Sequence, residues 1–248
     1  FSEEGSELIT NGDFATDTNW TKGTGTTISG GSANFVNADG ISLYQSIGTQ
    51  SGFVKVTFTV TDYTSGTLNV YSGGNQSVGS INVSANALAT YTAYVDRNAG
   101  NVNIIFGSND SFTGSIDNVS VKEVGIDWTL GTGWSIGDDK AVATSVGAGV
   151  PISQYIDVAK TYKITYEVVS LSQGAFQVDL SYSGTALGQV ANTVGTFTDI
   201  ITSINPALSI RAVGTTTGSI TNISAIEITS DTNLPRINYD NFSYDGSG

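Results

Sequence analysis

The segment GSIDNVSVKEV, Gly114–Val124, returns 104 residues later as GSITNISAIEI, Gly218–Ile228. Four more stretches repeat in the same order. NWTKGTG (Asn19–Gly25) matches DWTLGTG (Asp127–Gly133), and FVKVTFTV (Phe53–Val60) matches TYKITYEV (Thr161–Val168). GTLNVYSG (Gly66–Gly73) opens like GAFQV (Gly174–Val178), and TYTAYV (Thr90–Val95) matches TFTDII (Thr196–Ile201). The offsets stay between 104 and 109. Collinear matches at one period mean a duplicated structural unit, so the chain must build the same domain twice. The repeat places domain one at Glu7–Val124 and domain two at Gly125–Ser230, with an arm, Phe1–Ser6, and a tail, Asp231–Gly248.

The repeated unit reads as strand throughout. In Phe53–Val60, Val54, Val56, Phe58 and Val60 fall on one face and Lys55, Thr57 and Thr59 on the other. Alternation with β-branched and aromatic residues marks a half-buried antiparallel strand. Tyr162, Ile164, Tyr166 and Val168 repeat the pattern, as do Phe176, Val178, Leu180 and Tyr182. Gly-Gly, Ser-Gly and Asn-Ala-Gly turns separate such runs, and no long window has the period of an amphipathic helix. Short, evenly spaced strands predict an all-β chain of two tandem jelly-roll β-sandwich domains with short terminal arms.

Composition narrows the function. The chain has no Cys, so no disulfide, thiolate nucleophile or zinc–thiolate site is available. It has no His, which removes the usual general base near neutral pH and the commonest transition-metal ligand. Only 12% of residues are charged, yet the net charge is −13, which argues against nucleic acid and anionic membranes. No stretch approaches the ~18 apolar residues of a membrane span. The chain begins at Phe1 without a signal peptide, as expected of a part excised from a longer protein. Asp138, Asp139, Asp157 and Asp179 form no paired-carboxylate motif of the glycosidase type, and Asp138–Asp139 reads as a solvated turn. An enzyme is not expected.

ELITNGDFATDTNWT at the start of domain one and GSIDNVSVKEV at its end resemble the first and last strands of carbohydrate-binding-module jelly rolls of the galactose-binding-like class. The resemblance covers residues 7–124 directly and 125–230 through the repeat. LPRINYD (Leu234–Asp240) resembles a short segment of phage tail-fibre and related virion proteins.

In simple strand phase Asp117 shares a face with Val119 and Val121, where a lone carboxylate is costly. The resemblance implies a partner beside the NGDF turn: either a structural Ca²⁺ held by Asn11, Asp13 and Asp117, or backbone amides of that turn. No other cofactor is expected. Domain two has Thr221 in place of Asp117 and only Gly125–Asp127 between Val124 and Trp128, where domain one has Leu8–Asn19 ahead of Trp20. No room remains for a first strand. A jelly roll without it exposes an edge that invites a strand from elsewhere. The tail offers Ile237 and Tyr239 in alternation. The N-terminal segment offers Phe1, Leu8 and Ile9.

Two functions follow. A strand passed to a non-reciprocating neighbour would polymerise the chain head to tail, making it a structural subunit of an extracellular or virion-surface fibre whose partner is itself. The alternative is a tandem carbohydrate-binding module, with Tyr44, Tyr63, Tyr71 and Trp134 as sugar-stacking candidates. Trp20 and Trp128 read as core residues. Asn-x-Ser/Thr sequons occur at Asn19, Asn75, Asn82, Asn109, Asn118, Asn222 and Asn241.

Overall fold

The computed structural model describes residues 4–48, 52–73, 83–97, 102–181 and 184–229. Phe1, Asn75, Asn82, Tyr182, Asn241 and the tail strand candidates lie outside the described residues. No helix occurs among the described residues, and none is available to cross a membrane.

Domain one contains β1 (Glu4–Glu7), β2 (Thr21–Lys22), β3 (Thr26–Ser29), β4 (Ser32–Ser46), β5 (Gly52–Ser65), β6 (Leu68–Ser72), β7 (Val83–Ala85), β8 (Ala89–Arg97) and β9 (Asn103–Val124). Domain two contains β10 (Thr129–Leu130), β11 (Trp134–Gly137), β12 (Lys140–Val146), β13 (Pro151–Tyr155), β14 (Thr161–Asp179), β15 (Leu187–Ala191), β16 (Gly195–Thr202) and β17 (Ala207–Glu227). All pairings are antiparallel.

Long strands bend through both layers of each sandwich. The first part of β9 lies between β6 and the end of β4, and its last part lies along β5. The start of β4 and then β1 occupy the other side of that last part. In domain two β17 takes the place of β9, β14 of β5 with β6, and β12 with β13 of β4. The repeat therefore extends to strand order, with one exception: among the described residues β1 has no counterpart.

Side-chain alternation builds two separate cores. Val54, Val56, Phe58 and Val60 are buried in the first, beside Phe35, Phe106, Phe112 and Val121. Tyr162, Ile164, Tyr166, Val168, Phe176, Val178 and Leu180 are buried in the second. At roughly 1.5–3 kcal/mol for each fully buried large side chain, such cores supply the main driving force for each sandwich.

The bends recur at equivalent positions. Gly66 (φ +79°) lies between β5 and β6, and a Cβ there would sit 2.7 Å from Phe112 Cα. Gly174 (φ +72°), inside β14, would place one 2.8 Å from Thr216 Cα. Only glycine fits so close an approach at positive φ. Asn37 and Ser145 also share positive φ, and each backbone N–H donates to a threonine hydroxyl at 3.0 Å, Thr113 and Thr217 respectively.

The pair that opens the sequence repeat is bent in the same manner. Asn118 (φ 54°) and Asn222 (φ 50°) interrupt β9 and β17 in the left-handed region. In β9 the register with β5 slips between Thr57 and Thr59. Ile116 and Val119 are both buried, while Asp117 is only half-buried between them. This corrects the expectation that Asp117 shares the apolar face of Val119 and Val121. The bulge inserts an extra residue and breaks the phase.

Candidate functional site

Two features stand out among the described residues: an edge of β17 with a partner on one side only, and a cleft between the domains. In domain one the segment after β1 closes the equivalent edge. Leu8 N–H donates to the Val121 carbonyl (2.9 Å), and Val119 N–H donates to the Gly12 carbonyl (2.8 Å). A Cβ on Gly12 would overlap the Val119 carbonyl oxygen, so the turn can dock only as glycine. Ile9 and Phe14 then enter the core, and Phe14 packs on Trp20 with ring centroids 5.5 Å apart. The Trp20 indole N–H donates to the Asn11 carbonyl at 2.9 Å.

Among the described residues, domain two has no such closing segment. Among the described residues, β17 beyond Thr221 pairs only with β14. Ile223 is half-buried, Ala225 is exposed, and Ile226 and Ile228 are 61% and 43% exposed. The equivalents of Ile223, Ala225 and Ile228, which are Val119, Val121 and Val124, are buried, and that of Ile226 is the half-buried Lys122. Trp128, the counterpart of buried Trp20, is half-buried rather than enclosed. Trp20 matches its sequence expectation; Trp128 departs from it because no Phe14 equivalent covers it.

The cleft has two adjoining lobes of about 780 Å³ and about 440 Å³. Phe53 and Asp96, paired across β5 and β8, line both lobes from domain one. Trp128 and the backbone of Gly131–Gly133 line the larger from domain two. Arg97 is buried and its guanidinium donates to Glu123 at 2.5 Å, which fixes a cation and a carboxylate at the cleft wall. Burial raises the Asp96 pKa above the usual carboxylate value. Tyr94 donates its hydroxyl to Asp139 across the junction at 3.4 Å, and its own pKa is raised by burial and then by the Asp139 charge. Asp138 and Asp139 form a hairpin turn between β11 and β12, both at positive φ.

The remaining candidates are distributed differently from expectation. Tyr71 lies opposite Ile105 in register, on the face away from the first core, but is fully buried and presents no ring surface. Trp134 is buried against Phe176 (5.6 Å between ring centroids), and its indole N–H donates to the Val150 carbonyl at 3.2 Å. It belongs to the second core and also lines both lobes of the cleft. Tyr63 leans on Phe112 at 6.3 Å as cover for the first core. Tyr44 is half-buried on β4. Alternation finds which face a ring takes, but not what lies over that face.

The side chains of Asn11, Asp13 and Asp117 each take hydrogen bonds in their own turns. The Asn11 side chain staples its own loop, donating to the carbonyls of Thr16 and Thr18 and accepting from Thr16 N–H. Asp13 accepts from Ala15 N–H, and Asp117 from Asn118 N–H at 2.6 Å. Each oxygen set accepts from a backbone N–H of its own turn. At the equivalent place the Thr221 hydroxyl donates to the Asp139 carbonyl at 3.1 Å. The Asp-to-Thr change thus exchanges one local hydrogen bond for another.

Of the described sequons, Asn19, Asn109, Asn118 and Asn222 are exposed. Asn19 donates to the Thr10 hydroxyl, Asn118 to Asp117 and Asn222 to Glu167.

No protein-family model matches the chain, and no curated protein does. Among solved structures, the N-terminal CBM22-1–CBM22-2 tandem domain of Xyn10C from Paenibacillus barcinonensis is similar at 10% identity and a TM-score of 0.38. That alignment covers 92% of this chain and 100% of the other. The tandem sandwich assignment rests on the strand pairing above.

Proposed function

We propose that this chain is a tandem carbohydrate-binding module without catalytic activity, working outside the cell, with its ligand site in the interdomain cleft. The observation that supports it is the pairing of two partly open aromatic rings, Phe53 and Trp128, with the charged groups Asp96, Arg97 and Glu123 in one concave space. Apolar ring faces suit the C–H faces of a sugar, and fixed polar groups suit its hydroxyls. Each lobe has the volume usual for a small-ligand site. A glycan array followed by calorimetry on the best ligand tests the reading. Phe53→Ala and Trp128→Ala should each weaken binding about tenfold or more, equivalent to ~1.4 kcal/mol. Binding to no glycan, or unchanged affinity in both variants, would overturn it.

Among the described residues, the edge of β17 with a partner on one side only favours a second reading: a head-to-tail subunit of an extracellular or virion fibre, built by strand donation. Leu8 and Ile9 are engaged in their own domain, so donation from the N-terminus would have to strip domain one of Ile9. Light scattering and electron microscopy of the purified chain decide this reading: long filaments uphold it and monomers refute it.

A further inference from the structure

The smaller lobe of the cleft carries an uncompensated negative charge beside aromatic rings. Resting on the glycan reading above, we infer that this lobe receives a protonated amine, so that the ligand is an amino-sugar oligosaccharide with free ammonium groups, and that Asp96 and Asp138 select it.

The charge inventory comes first. Four charged side chains line the two lobes: Asp96, Arg97, Glu123 and Asp138. Arg97 and Glu123 are bonded to each other at 2.5 Å and cancel. Asp96 and Asp138 enter no ion pair among the described residues, and both line the smaller lobe. Lys55, opposite Tyr94 in register, is held by Glu4 at 2.9 Å and lines neither lobe. Asp96 keeps solvent contact, yet burial acts on its carboxyl with no counter-charge to offset it.

Two like charges in one concave space are costly, since each disfavours the ionised form of the other. A sugar hydroxyl donates a hydrogen bond to such a carboxylate but leaves both charges standing. An ammonium donates the bond and cancels charge, and bonds of that kind are the stronger ones. A uronic acid or sulfated sugar adds a further negative charge, and the net charge of −13 opposes its approach.

The second observation is the aromatic wall. Phe53 lies directly opposite Asp96 across β5 and β8, and Tyr94 precedes Asp96 by two residues, on the same face of β8. The Tyr94 hydroxyl is tied to Asp139 at 3.4 Å. Both rings are half-buried and line the lobe. Aromatic faces attract cations as well as the C–H faces of a sugar, and an amino sugar presents both to one wall.

The test is calorimetry on the full chain with three probes: an oligomer of glucosamine, its fully N-acetylated form, and an oligomer of galacturonic acid, in buffer acidic enough to keep the amine charged. The free-amine oligomer is expected to bind at least about tenfold tighter than the acetylated one, and the acid oligomer not to bind. Asp96→Asn, Asp138→Asn should abolish that advantage and leave affinity for the acetylated oligomer within about twofold. Both positions are exposed, and asparagine tolerates the positive φ of Asp138, so folding is retained. Asp17→Asn, Asp62→Asn removes the same charge from exposed positions outside the cleft and should leave the advantage intact. If it lowers the advantage as much, the attraction is general and the inference fails. Equal affinity for the free-amine and acetylated probes, no binding of the free-amine probe, or binding of the acid probe overturns the inference, while the broader reading stands as long as some glycan of the array binds. Binding of no glycan overturns both.

Discussion

Replacing Asn118 or Asn222 by valine isolates the backbone device that the two halves share. Both residues sit in the left-handed region, at φ 54° and φ 50°, in the middle of long strands. An ordinary L-residue there costs about 1–2 kcal/mol, and a β-branched one is a stronger outlier, whereas asparagine tolerates the region. The side-chain bonds lost are exposed ones to Asp117 and Glu167, and add little. Asn118→Val should therefore destabilise domain one, and Asn222→Val domain two, by about 1–2 kcal/mol each. Asn→Gly at either site should stay within about 0.5 kcal/mol of the parent, since glycine adopts positive φ freely. With a urea m-value of ~2 kcal/mol/M, the valine variants shift the midpoint of their own domain by about 0.5–1 M. Urea unfolding followed by circular dichroism reads this, with each core as its own cooperative unit. If the valine and glycine variants unfold together, the positive φ is not what selects asparagine, and the account of the repeat fails.

Phe14→Ala should cost about 3–5 kcal/mol, because Phe14 is buried and packs on Trp20, and only the transition of domain one should move; scanning calorimetry would show any shift of domain two and refute the separation of the cores. Glu4 is held below its usual pKa of 4.5 by hydrogen bonds from Lys55 and then Lys122, both at 2.9 Å. Its contribution is thus complete above the unfolded value and lost as pH falls through the lowered folded one. Glu4→Gln should lower the midpoint temperature of domain one at neutral pH, and the difference should vanish in strong acid; a gap that persists there would place the effect in packing rather than charge.

The duplication, the all-β class and the inward faces of β5 and β14 were legible in the order of residues, because a period of two and a period of about a hundred are properties of the chain itself. The shortened start of domain two was legible for the same reason: a strand needs residues, and Gly125–Asp127 do not provide them. Alternation failed where strands bulge. Asp117 left the apolar face because Asn118 inserts a step, and no pattern of polar and apolar residues encodes that slip. Nor does alternation tell that Tyr71, on the face away from the first core, is buried, because that depends on what other segments lie over it. The cleft lies furthest from sequence. Phe53, Arg97, Glu123 and Trp128 are scattered along the chain, each ordinary in its own strand or turn, and only the packing of one sandwich against the next sets them around one space. Local chemistry determines which strands form; proximity between distant strands is a property of the closed fold, and the site exists only there.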